Sequence, residues 1–449
     1  MRRKILEFID SQKVIKDIPL SVEDRYSDFQ LEIIKIIEAS YRSMKTGFMD
    51  DLVNIISLIA GRRSGKTTLC ATLPAFMEAN FPDWKGDYTF ASFDVKYLKQ
   101  LYWTEMQKWL DYHNIKYKTD SKDSTIYLTK SRRKIMFESL KDQASAKKIL
   151  GKSNKLVVFD EAQNTRQDIL KEAVETYAEP SLMDNGGIVF LIGTSPKVHK
   201  TSYFLKRHRN TEHSFDGINV YNNKFIPKVL ADAFLNNKRK EGGFIKGKED
   251  ANFKRQYLGE IVEDLESLVF PLTEGHIYKE LPCPLNEADY YACGGIDIGF
   301  NDKDAFVVIF YYPKAKCFFV DYEFEKPEQL TKDFAEVIEK QVKSYKGVIT
   351  PDLVGDSGGG GLKTIADLEN ESSLFIDKAY KYNKYRNIKY LQNLIKSGRF
   401  FVKEDSIFYK EAELIEWDET KEKIDDRVYH SDILDAILYA VRYLVKNHI

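Results

Sequence analysis

The stretch at residues 53–68 decides the fold of the front half of the chain. It reads Val53-Asn54-Ile55-Ile56-Ser57-Leu58-Ile59-Ala60-Gly61-Arg62-Arg63-Ser64-Gly65-Lys66-Thr67-Thr68. Its apolar first half has the length of a buried strand. A loop of small residues and a helix-favouring segment follow directly, and this order predicts a phosphate-binding loop. Lys66 would reach the terminal phosphates and the Thr67 hydroxyl would ligate Mg²⁺, while backbone N–H groups surround the anion. The candidate nucleotide-binding residues of this loop include Gly61, Ser64, Gly65, Lys66, Thr67 and Thr68.

The loop departs from the usual pattern at its start. That pattern has a glycine five residues before the second glycine, and here Ala60 holds this place, with Gly61 one position later. A lysine-rich turn is the alternative interpretation. The order of strand, loop and Gly-Lys-Thr-Thr favours the phosphate loop.

Length and composition bound the classes of protein that this sequence can encode. The chain has 449 residues, enough for two or three domains, and its 43% hydrophobic and 31% charged residues indicate a soluble globular protein. No apolar stretch has the roughly 18 residues that span a membrane, and we expect neither a membrane anchor nor a signal peptide. The four cysteines lack metal-site spacing, so we expect reduced thiols in a cytoplasm. A net charge of −1 argues against indiscriminate nucleic-acid coating but allows local basic tracks.

Two acids directly follow a second apolar run. Leu156–Phe159 reads as a buried strand that ends in Asp160-Glu161, where ligands bind in an open α/β sheet. Asp160 would hold the Mg²⁺ hydration shell, and Glu161 would orient or deprotonate the water that attacks the γ-phosphate. A strand that merely ends in an acidic turn is the alternative.

Two more residues are candidates for contact with the nucleotide. Thr194 follows the predicted strand 187–192 in a small polar turn, where its hydroxyl could sense the nucleotide state; an ordinary loop is the alternative. Gln30 begins an amphipathic helix upstream of the loop, and its amide can donate and accept together, as adenine recognition requires. A surface glutamine at a helix start is the alternative for Gln30.

The remaining chain divides by composition. Residues 1–199 hold the predicted nucleotide-binding domain with an N-terminal helical segment, and residues 200–265 are charged and are predicted to be a largely helical connecting or lid region. The proline-containing stretch that follows leads into a second domain, residues 266–449.

The second domain carries separated acids. Asp297 lies in the first of three strands predicted to form a meander, Asp356 ends a later strand before a Gly-rich turn, and Asp432 and Asp435 share one face of a C-terminal helix. Carboxylate oxygens suit Mg²⁺ or Mn²⁺, and such a set is what a two-metal nuclease needs. Acids in ordinary turns are the alternative, but a carboxylate pair on an apolar helix is costly without a partner.

The order of these motifs resembles the large subunit of tailed-phage terminases, the DNA-packaging motors. The motifs that carry the resemblance run through nearly the whole chain: Gly-Arg-Arg-Ser-Gly-Lys-Thr, Val-Phe-Asp-Glu-Ala, Ile-Gly-Thr-Ser-Pro, Gln-Tyr-Leu-Gly-Glu, Gly-Ile-Asp-Ile-Gly-Phe and Asp-Ala-Ile-Leu-Tyr-Ala. The resemblance implies an α/β protein with a P-loop ATPase domain of the additional-strand, catalytic-glutamate type, followed by an RNase H-like nuclease domain.

The resemblance also implies roles for individual residues. Gln30 falls on the adenine-reading position, Arg62 or Arg63 on a basic position that binds or senses phosphate, and Thr194 on the coupling motif. Lys66, Thr67, Asp160 and Glu161 fall on the ATP-hydrolysis machinery, while Asp297, Asp356 and Asp435 match the metal-binding acids. Many relatives have histidine where Asp432 stands, which leaves open whether Asp432, Asp435 or both bind metal.

The predicted function is therefore ATP-driven translocation of double-stranded DNA into a procapsid, with metal-dependent cutting of concatemeric DNA. It uses ATP with Mg²⁺, and two Mg²⁺ or Mn²⁺ ions in the nuclease site. The implied partners are DNA, a small terminase subunit, the portal protein of the procapsid and further copies in a ring, in the host-cell cytoplasm and outside the mature virion. A helicase-like translocase with a non-catalytic nucleic-acid-binding C-terminal domain is the main alternative, and a non-catalytic ATP-switch scaffold is another.

Overall fold

The computed structural model describes most of the chain and divides it into two compact units, residues 1–264 and 265–449. The described ranges are 26–47, 53–245, 248–286, 289–299, 303–327, 330–356, 365–379, 383–418, 422–426 and 429–449. The predicted Gly-rich turn after Asp356 lies outside them. No helix in the described ranges is both long and apolar enough to cross a membrane.

The first unit alternates helices and strands. Its strands are β1 (Ile55–Ala60), β2 (Asp87–Ser92), β3 (Tyr117–Asp120), β4 (Thr125–Leu128), β5 (Arg133–Ser139), β6 (Asn154–Phe159), β7 (Ile188–Gly193), β8 (His213–Ile218), β9 (Phe244–Ile245) and β10 (Lys248–Glu249). Its α-helices are α1 (Asp28–Thr46), α2 (Lys66–Asn80), α3 (Val95–Tyr112), α4 (Gln143–Ala146), α5 (Gln167–Glu172), α6 (Glu179–Leu182), α7 (Tyr203–Arg209), α8 (Lys228–Lys238) and α9 (Ala251–Phe253). Three π-helical segments, Ala173–Ala178, Arg239–Gly243 and Lys254–Leu258, continue α5, α8 and α9 in the part of the unit that the structure describes.

Eight strands form the main sheet of this unit in the order β3-β4-β5-β2-β6-β7-β1-β8. Neighbouring strands pair in parallel along the part of this order that runs β5-β2-β6-β7-β1-β8. The strand β4 pairs antiparallel with both β3 and β5. Every residue of β1, β6 and β7 is buried because helices cover both faces of the sheet. The strand β7 lies between β1 and β6, as expected for an additional-strand NTPase. The predicted α/β class and strand–loop–helix order are confirmed.

One strand of this unit was not expected from the sequence. The segment 200–265 was predicted to be largely helical, and it holds α7, α8 and α9, but His213–Ile218 is the edge strand β8 and pairs in parallel with β1. Its sequence gave a weak strand signal because aspartate and glycine are uncommon in strands. This edge strand contacts the phosphate loop: the Gly61 N–H donates to the Ile218 carbonyl at 2.7 Å.

The second unit is a six-stranded mixed sheet covered by helices. Its strands are β11 (Tyr291–Asp297), β12 (Lys303–Tyr312), β13 (Cys317–Pro327), β14 (Asp352–Gly355), β15 (Asp377–Lys378) and β16 (Phe400–Val402). Its α-helices are α10 (Thr331–Ser344), α11 (Ile365–Asn370), α12 (Lys384–Lys396), α13 (Ile407–Glu411) and α14 (Asp432–His448).

The sheet order is β15-β14-β11-β12-β13-β16. The first three strands, β11 to β13, form an antiparallel meander, and β14 pairs in parallel with β11. This is the strand order expected for an RNase H-like domain, so the predicted meander and the predicted strand before Asp356 are confirmed.

The C-terminal helix α14 lies close against β11. A Cβ atom on Gly295 would stand 2.0 Å from the Ala436 carbonyl oxygen, a distance that no side chain tolerates. Glycine at this position therefore lets the helix backbone approach the strand. The first turn of α14 thus lies beside the end of β11, where Asp297 is located.

Candidate functional site

The phosphate loop is held in place from one side by the end of the first unit. The Arg62 N–H donates to the Gln256 carbonyl at 2.7 Å, and the Arg62 Nε donates to the Gln256 side-chain oxygen at 3.0 Å. A Cβ atom on Gly61 would lie 2.5 Å from the Tyr257 carbonyl oxygen, so this position accepts only glycine. The glycine at position 61 rather than 60 therefore has a steric cause, since Ala60 belongs to the buried strand β1.

The loop residues differ in exposure. Ser64 is buried, Lys66 and Thr67 are half-buried, and Arg62 and Thr68 are exposed. Gly65 has a φ of 101° at the start of α2, a conformation that glycine adopts readily. Arg63 is exposed and has a φ of 66°, and its carbonyl accepts a hydrogen bond from the Asn223 amide at 2.9 Å. The sequence did not indicate Asn223 or Gln256 as supports of the loop.

The Lys66 ammonium is directed back over the loop. It donates to the carbonyls of Ala60 at 2.5 Å and Gly61 at 3.0 Å. Burial lowers the pKa of Lys66, and the negative charges of Glu161 and Asp160 oppose that shift. Lys66 thus lies within the field of both acids that the sequence predicted as its partners.

Gln30 lies against the loop, with both ends of its amide hydrogen-bonded inside the protein. Its Oε1 accepts from the Ser27 N–H at 2.9 Å, and its Nε2 donates to the Gly65 carbonyl at 2.9 Å. The side chain is buried. In this structure Gln30 therefore ties the start of α1 to the phosphate loop. Its role in reading adenine stays a prediction, and adenine binding would require these bonds to be exchanged.

The acids Asp160 and Glu161 stand at the carboxyl end of β6. Asp160 is buried and accepts from the Tyr102 hydroxyl at 2.8 Å and from the Glu161 N–H at 3.0 Å. Burial, followed by the neighbouring Glu161 charge, raises the pKa of Asp160. A nearby divalent cation would favour its ionised form. Tyr102 is itself a buried core residue.

A glutamine that the sequence analysis missed joins Glu161 to the turn after β7. The Gln163 Nε2 donates to the Glu161 carboxylate, and its Oε1 accepts from the Thr194 N–H at 3.1 Å. A Cβ atom on Gly193 would stand 2.0 Å from the Gln163 Oε1, so glycine makes room for this amide. The available signal in the sequence was an amide two residues after Glu161, but only the tertiary structure reveals that this amide also bonds the Thr194 N–H.

Backbone geometry also fixes Glu161. Its φ of 51° places a non-glycine residue in the left-handed region. Such conformations cost about 1–3 kcal/mol and persist where the surroundings impose them. The side chain therefore leaves the strand end in a set direction, toward Gln163.

Two buried hydroxyls near the loop could serve a phosphate. The Ser64 Oγ and the Thr194 Oγ1 are buried and have no hydrogen-bond partner within the part of the chain that the structure describes. Buried polar groups are rarely left unsatisfied. Together with the loop amides and Lys66, these hydroxyls fit a nucleotide phosphate with its Mg²⁺.

The second unit gathers four aspartates. Asp297 ends β11, and Asp356 follows β14, the neighbouring parallel strand, so that the Asp356 N–H donates to the Ile296 carbonyl at 3.1 Å. Asp432 and Asp435 occupy the first turn of α14 and are buried. Burial raises the pKa of Asp297 to about 8, and the charges of Asp435, Asp432 and Asp356 add to the shift. The four predicted acids therefore lie within one another's field.

Two cationic side chains that the sequence analysis did not assign contact these acids. The Lys384 Nζ lies 2.7 Å from one Asp435 oxygen and 2.8 Å from the other. The His430 Nε2 lies 3.4 Å from an Asp432 oxygen. The carboxylates of Asp426 and Asp432 raise the pKa of His430 to about 10.

The donor chemistry of the aspartates suits a hard divalent cation. Carboxylate oxygens are the preferred ligands of Mg²⁺ and Mn²⁺, and a cation would relieve the repulsion that raises the pKa of Asp297. In the described residues, no three His, Cys, Asp or Glu side chains are already arranged as a metal-binding group. The residues fit the metal by chemistry and charge, and Lys384 holds one of them.

Three large terminases of known structure are similar to this chain or to a part of it. The large terminase of bacteriophage HK97 is 13% identical with a TM-score of 0.54, and the similarity covers 98% of each chain. The large terminase of a thermophilic bacteriophage is 16% identical with a TM-score of 0.42, covering 94% of this chain and 99% of that one. The nuclease domain of the P22 large terminase is 21% identical with a TM-score of 0.33, covering 40% of this chain and 92% of that domain.

The similarity to the HK97 protein shows that this chain has the fold of a large terminase along almost its whole length. No family model and no curated protein matches the sequence. The phosphate loop lies in the first unit, and the four aspartates lie in the second.

Replacing Lys384 should strengthen divalent-cation binding at the aspartates. The change Lys384→Gln removes the ammonium that pairs with Asp435 and leaves its two oxygens to a metal ion. We expect the Mn²⁺ dissociation constant, measured by electron paramagnetic resonance in titrations of the full chain, to fall by about 10-fold. The exposed Lys396→Gln is the control and should leave it unchanged. An unchanged or weaker affinity in Lys384→Gln would contradict the idea that Lys384 competes with a metal ion for the Asp435 carboxylate.

Proposed function

We propose that this chain is the large subunit of a phage terminase, an ATP-driven DNA-packaging motor that also cuts DNA. The observation that carries the proposal is the pairing of two sites on one chain. One is a phosphate loop facing Asp160 and Glu161, and the other is a set of four aspartates at the edge of an RNase H-like sheet. The likeness to the HK97 large terminase over 98% of both chains supports the same conclusion.

In ATP hydrolysis, the loop amides and Lys66 bind the phosphates, with Arg62 or Arg63 as an added positive charge. Bound Mg²⁺, held by Thr67 and Asp160, supplies charge neutralisation at the phosphates. Glu161 orients the attacking water and accepts its proton. Gln163 holds the Glu161 carboxylate and, through the Thr194 N–H, connects it to the turn after β7. A change at the γ-phosphate can thereby be transmitted from the base to a neighbouring strand.

In DNA cleavage, Asp297, Asp356, Asp432 and Asp435 hold the metal ions. Two bound Mg²⁺ or Mn²⁺ ions supply Lewis-acid stabilisation of an in-line displacement at phosphorus. Lys384 pairs with Asp435 until the metal binds, and afterwards it can neutralise a phosphate oxygen of the substrate. His430 orients Asp432 through the contact at 3.4 Å.

The biological setting is part of the proposal. The motor acts on double-stranded DNA, mainly through sequence-independent phosphate contacts. It works in the host-cell cytoplasm as a ring of copies docked on the portal of a procapsid, and a small terminase subunit supplies the choice of site.

Removing the proposed base should separate nucleotide binding from turnover. In Glu161→Gln the side chain keeps its size but cannot accept a proton, so we expect ATP turnover to fall by at least about 100-fold. The affinity for a fluorescent ATP analogue should change by less than about two-fold. The exposed Glu212→Gln is the control. Normal turnover in Glu161→Gln would exclude Glu161 as the base.

The Gln163 amide should matter for turnover and not for binding. In Gln163→Ala the Glu161 carboxylate loses the donor that holds it, so we expect kcat to fall by about 10-fold to 100-fold while KM for ATP stays within about two-fold. Gln107→Ala, at a half-buried position on α3, is the control. A parallel loss of thermal stability and of nucleotide affinity in Gln163→Ala would instead indicate a purely structural role.

Changes at the aspartates should abolish cutting and spare ATP hydrolysis. We expect Asp297→Asn and Asp356→Asn to reduce Mn²⁺-dependent nicking of plasmid DNA by more than about 100-fold, because each removes a metal ligand. ATP turnover measured on the same preparations should be unchanged. The exposed Asp333→Asn on α10 is the control. Persistent nicking in both variants would remove the metal-site assignment, and it would leave the ATPase assignment intact.

A further inference from the structure

A groove with a volume of about 400 Å³ runs along the second unit beside the aspartates. Its walls are the C-terminal half of α14 and the ends of β14 and β15. Polar side chains dominate the lining: Asp352, Asp377, Lys378, Arg442, Tyr443 and Lys446. No step of the cleavage reaction described above uses this groove.

The groove continues the helix face on which the metal-binding acids begin. Asp435, Tyr439, Arg442 and Lys446 follow one another at intervals of four, three and four residues, so they lie along one face of α14. At a rise of about 1.5 Å per residue, Arg442 lies about 10 Å and Lys446 about 16 Å along the helix from Asp435. A cationic track therefore leads away from the site of cutting.

Tyr439 joins the two regions. It lines the groove, and its hydroxyl faces the Asp297 carboxylate. Burial, followed by the negative charge of Asp297, raises the pKa of Tyr439. Because Tyr439 stands one helical turn after Asp435 on α14, the groove begins about one turn away from the metal-binding acids.

The charges of the groove favour an anion. The Tyr443 hydroxyl donates to one of its two acids, Asp377, at 3.2 Å, and the His448 Nε2 lies 4.0 Å from the other, Asp352. Against these two carboxylates stand three permanent cations, Lys378, Arg442 and Lys446, and Lys378 and Lys446 are exposed. The excess positive charge is spread along the groove and not concentrated at one point.

We propose that this groove binds the phosphodiester backbone of the DNA next to the bond that is cut. The proposal rests on the proposed nuclease function and adds the path of the substrate. The roughly 16 Å from Asp435 to Lys446 is long enough to span several consecutive phosphates of one strand. Cations spaced along such a line bind a continuous backbone, and phosphate contacts of this kind carry no sequence preference. The groove thus sets where the duplex lies relative to the aspartates.

The test is the salt dependence of DNA binding by the full chain. In Arg442→Gln/Lys446→Gln, binding of a fluorescein-labelled duplex, followed by anisotropy in EDTA to prevent cutting, should weaken by about 10-fold or more. The slope of log K against log salt should fall by about 1.8, which is about 0.9 for each lost phosphate contact. Lys332→Gln/Lys340→Gln on α10 removes the same charge from another exposed surface and is the matched control.

Further variants keep the test decisive. Arg442→Lys/Lys446→Arg preserves the charge and should retain the wild-type slope, and the exposed Lys378→Gln tests the opposite wall if the double variant fails to fold. An effect of the groove variants no larger than that of the α10 control, with normal wild-type binding, would overturn the groove and leave the nuclease proposal standing. Failure of the wild-type chain to bind or cut DNA at all would overturn the nuclease proposal itself.

Discussion

Mutual repulsion between buried carboxylates at the ends of parallel strands is the constraint on which both sites depend. Asp160 and Glu161 directly follow β6, Asp297 is the last residue of β11, and Asp356 directly follows β14. Burial and neighbouring negative charge raise the pKa of Asp160, and they raise that of Asp297 to about 8. Such clusters are unfavourable unless cations neutralise them. In both units, therefore, acids that repel one another are stabilised by nearby positive charge.

In each unit, a lysine supplies part of the positive charge that stabilises these acids. Lys66 lies in the field of Asp160 and Glu161, and Lys384 contacts both oxygens of Asp435. In the first unit the lysine belongs to the phosphate loop and can pass its charge to the nucleotide. In the second unit Lys384 comes from a different helix, α12, so its position can change without disturbing the strands that carry the acids. Glycines at positions 61, 193 and 295 supply the close approaches that bring these groups together.

The sequence predicted most of the framework because local signals carried it. Three features were clear from the hydrophobic pattern and from the order of the motifs, and all three are present. They are the strand–loop–helix at residues 53–68, the strand that leads to Asp160 and the meander that contains Asp297. The strand β8 was missed because several of its residues are poor strand formers. It is a strand because it pairs with β1, which is distant in sequence. Gln163 and Lys384 were missed because their roles lie in contacts with residues distant in sequence. Gln30 was singled out, but the sequence could not reveal that its amide bonds Ser27 and Gly65.

The most direct test is anomalous diffraction from crystals of the full chain grown with Mn²⁺ and a non-hydrolysable ATP analogue. We expect Mn²⁺ beside Thr67 and Asp160 with the analogue on the phosphate loop, and further Mn²⁺ among Asp297, Asp356, Asp432 and Asp435 in the same molecule. Nucleotide on the loop without any Mn²⁺ at the four aspartates would contradict the pairing of a motor with a nuclease on one chain.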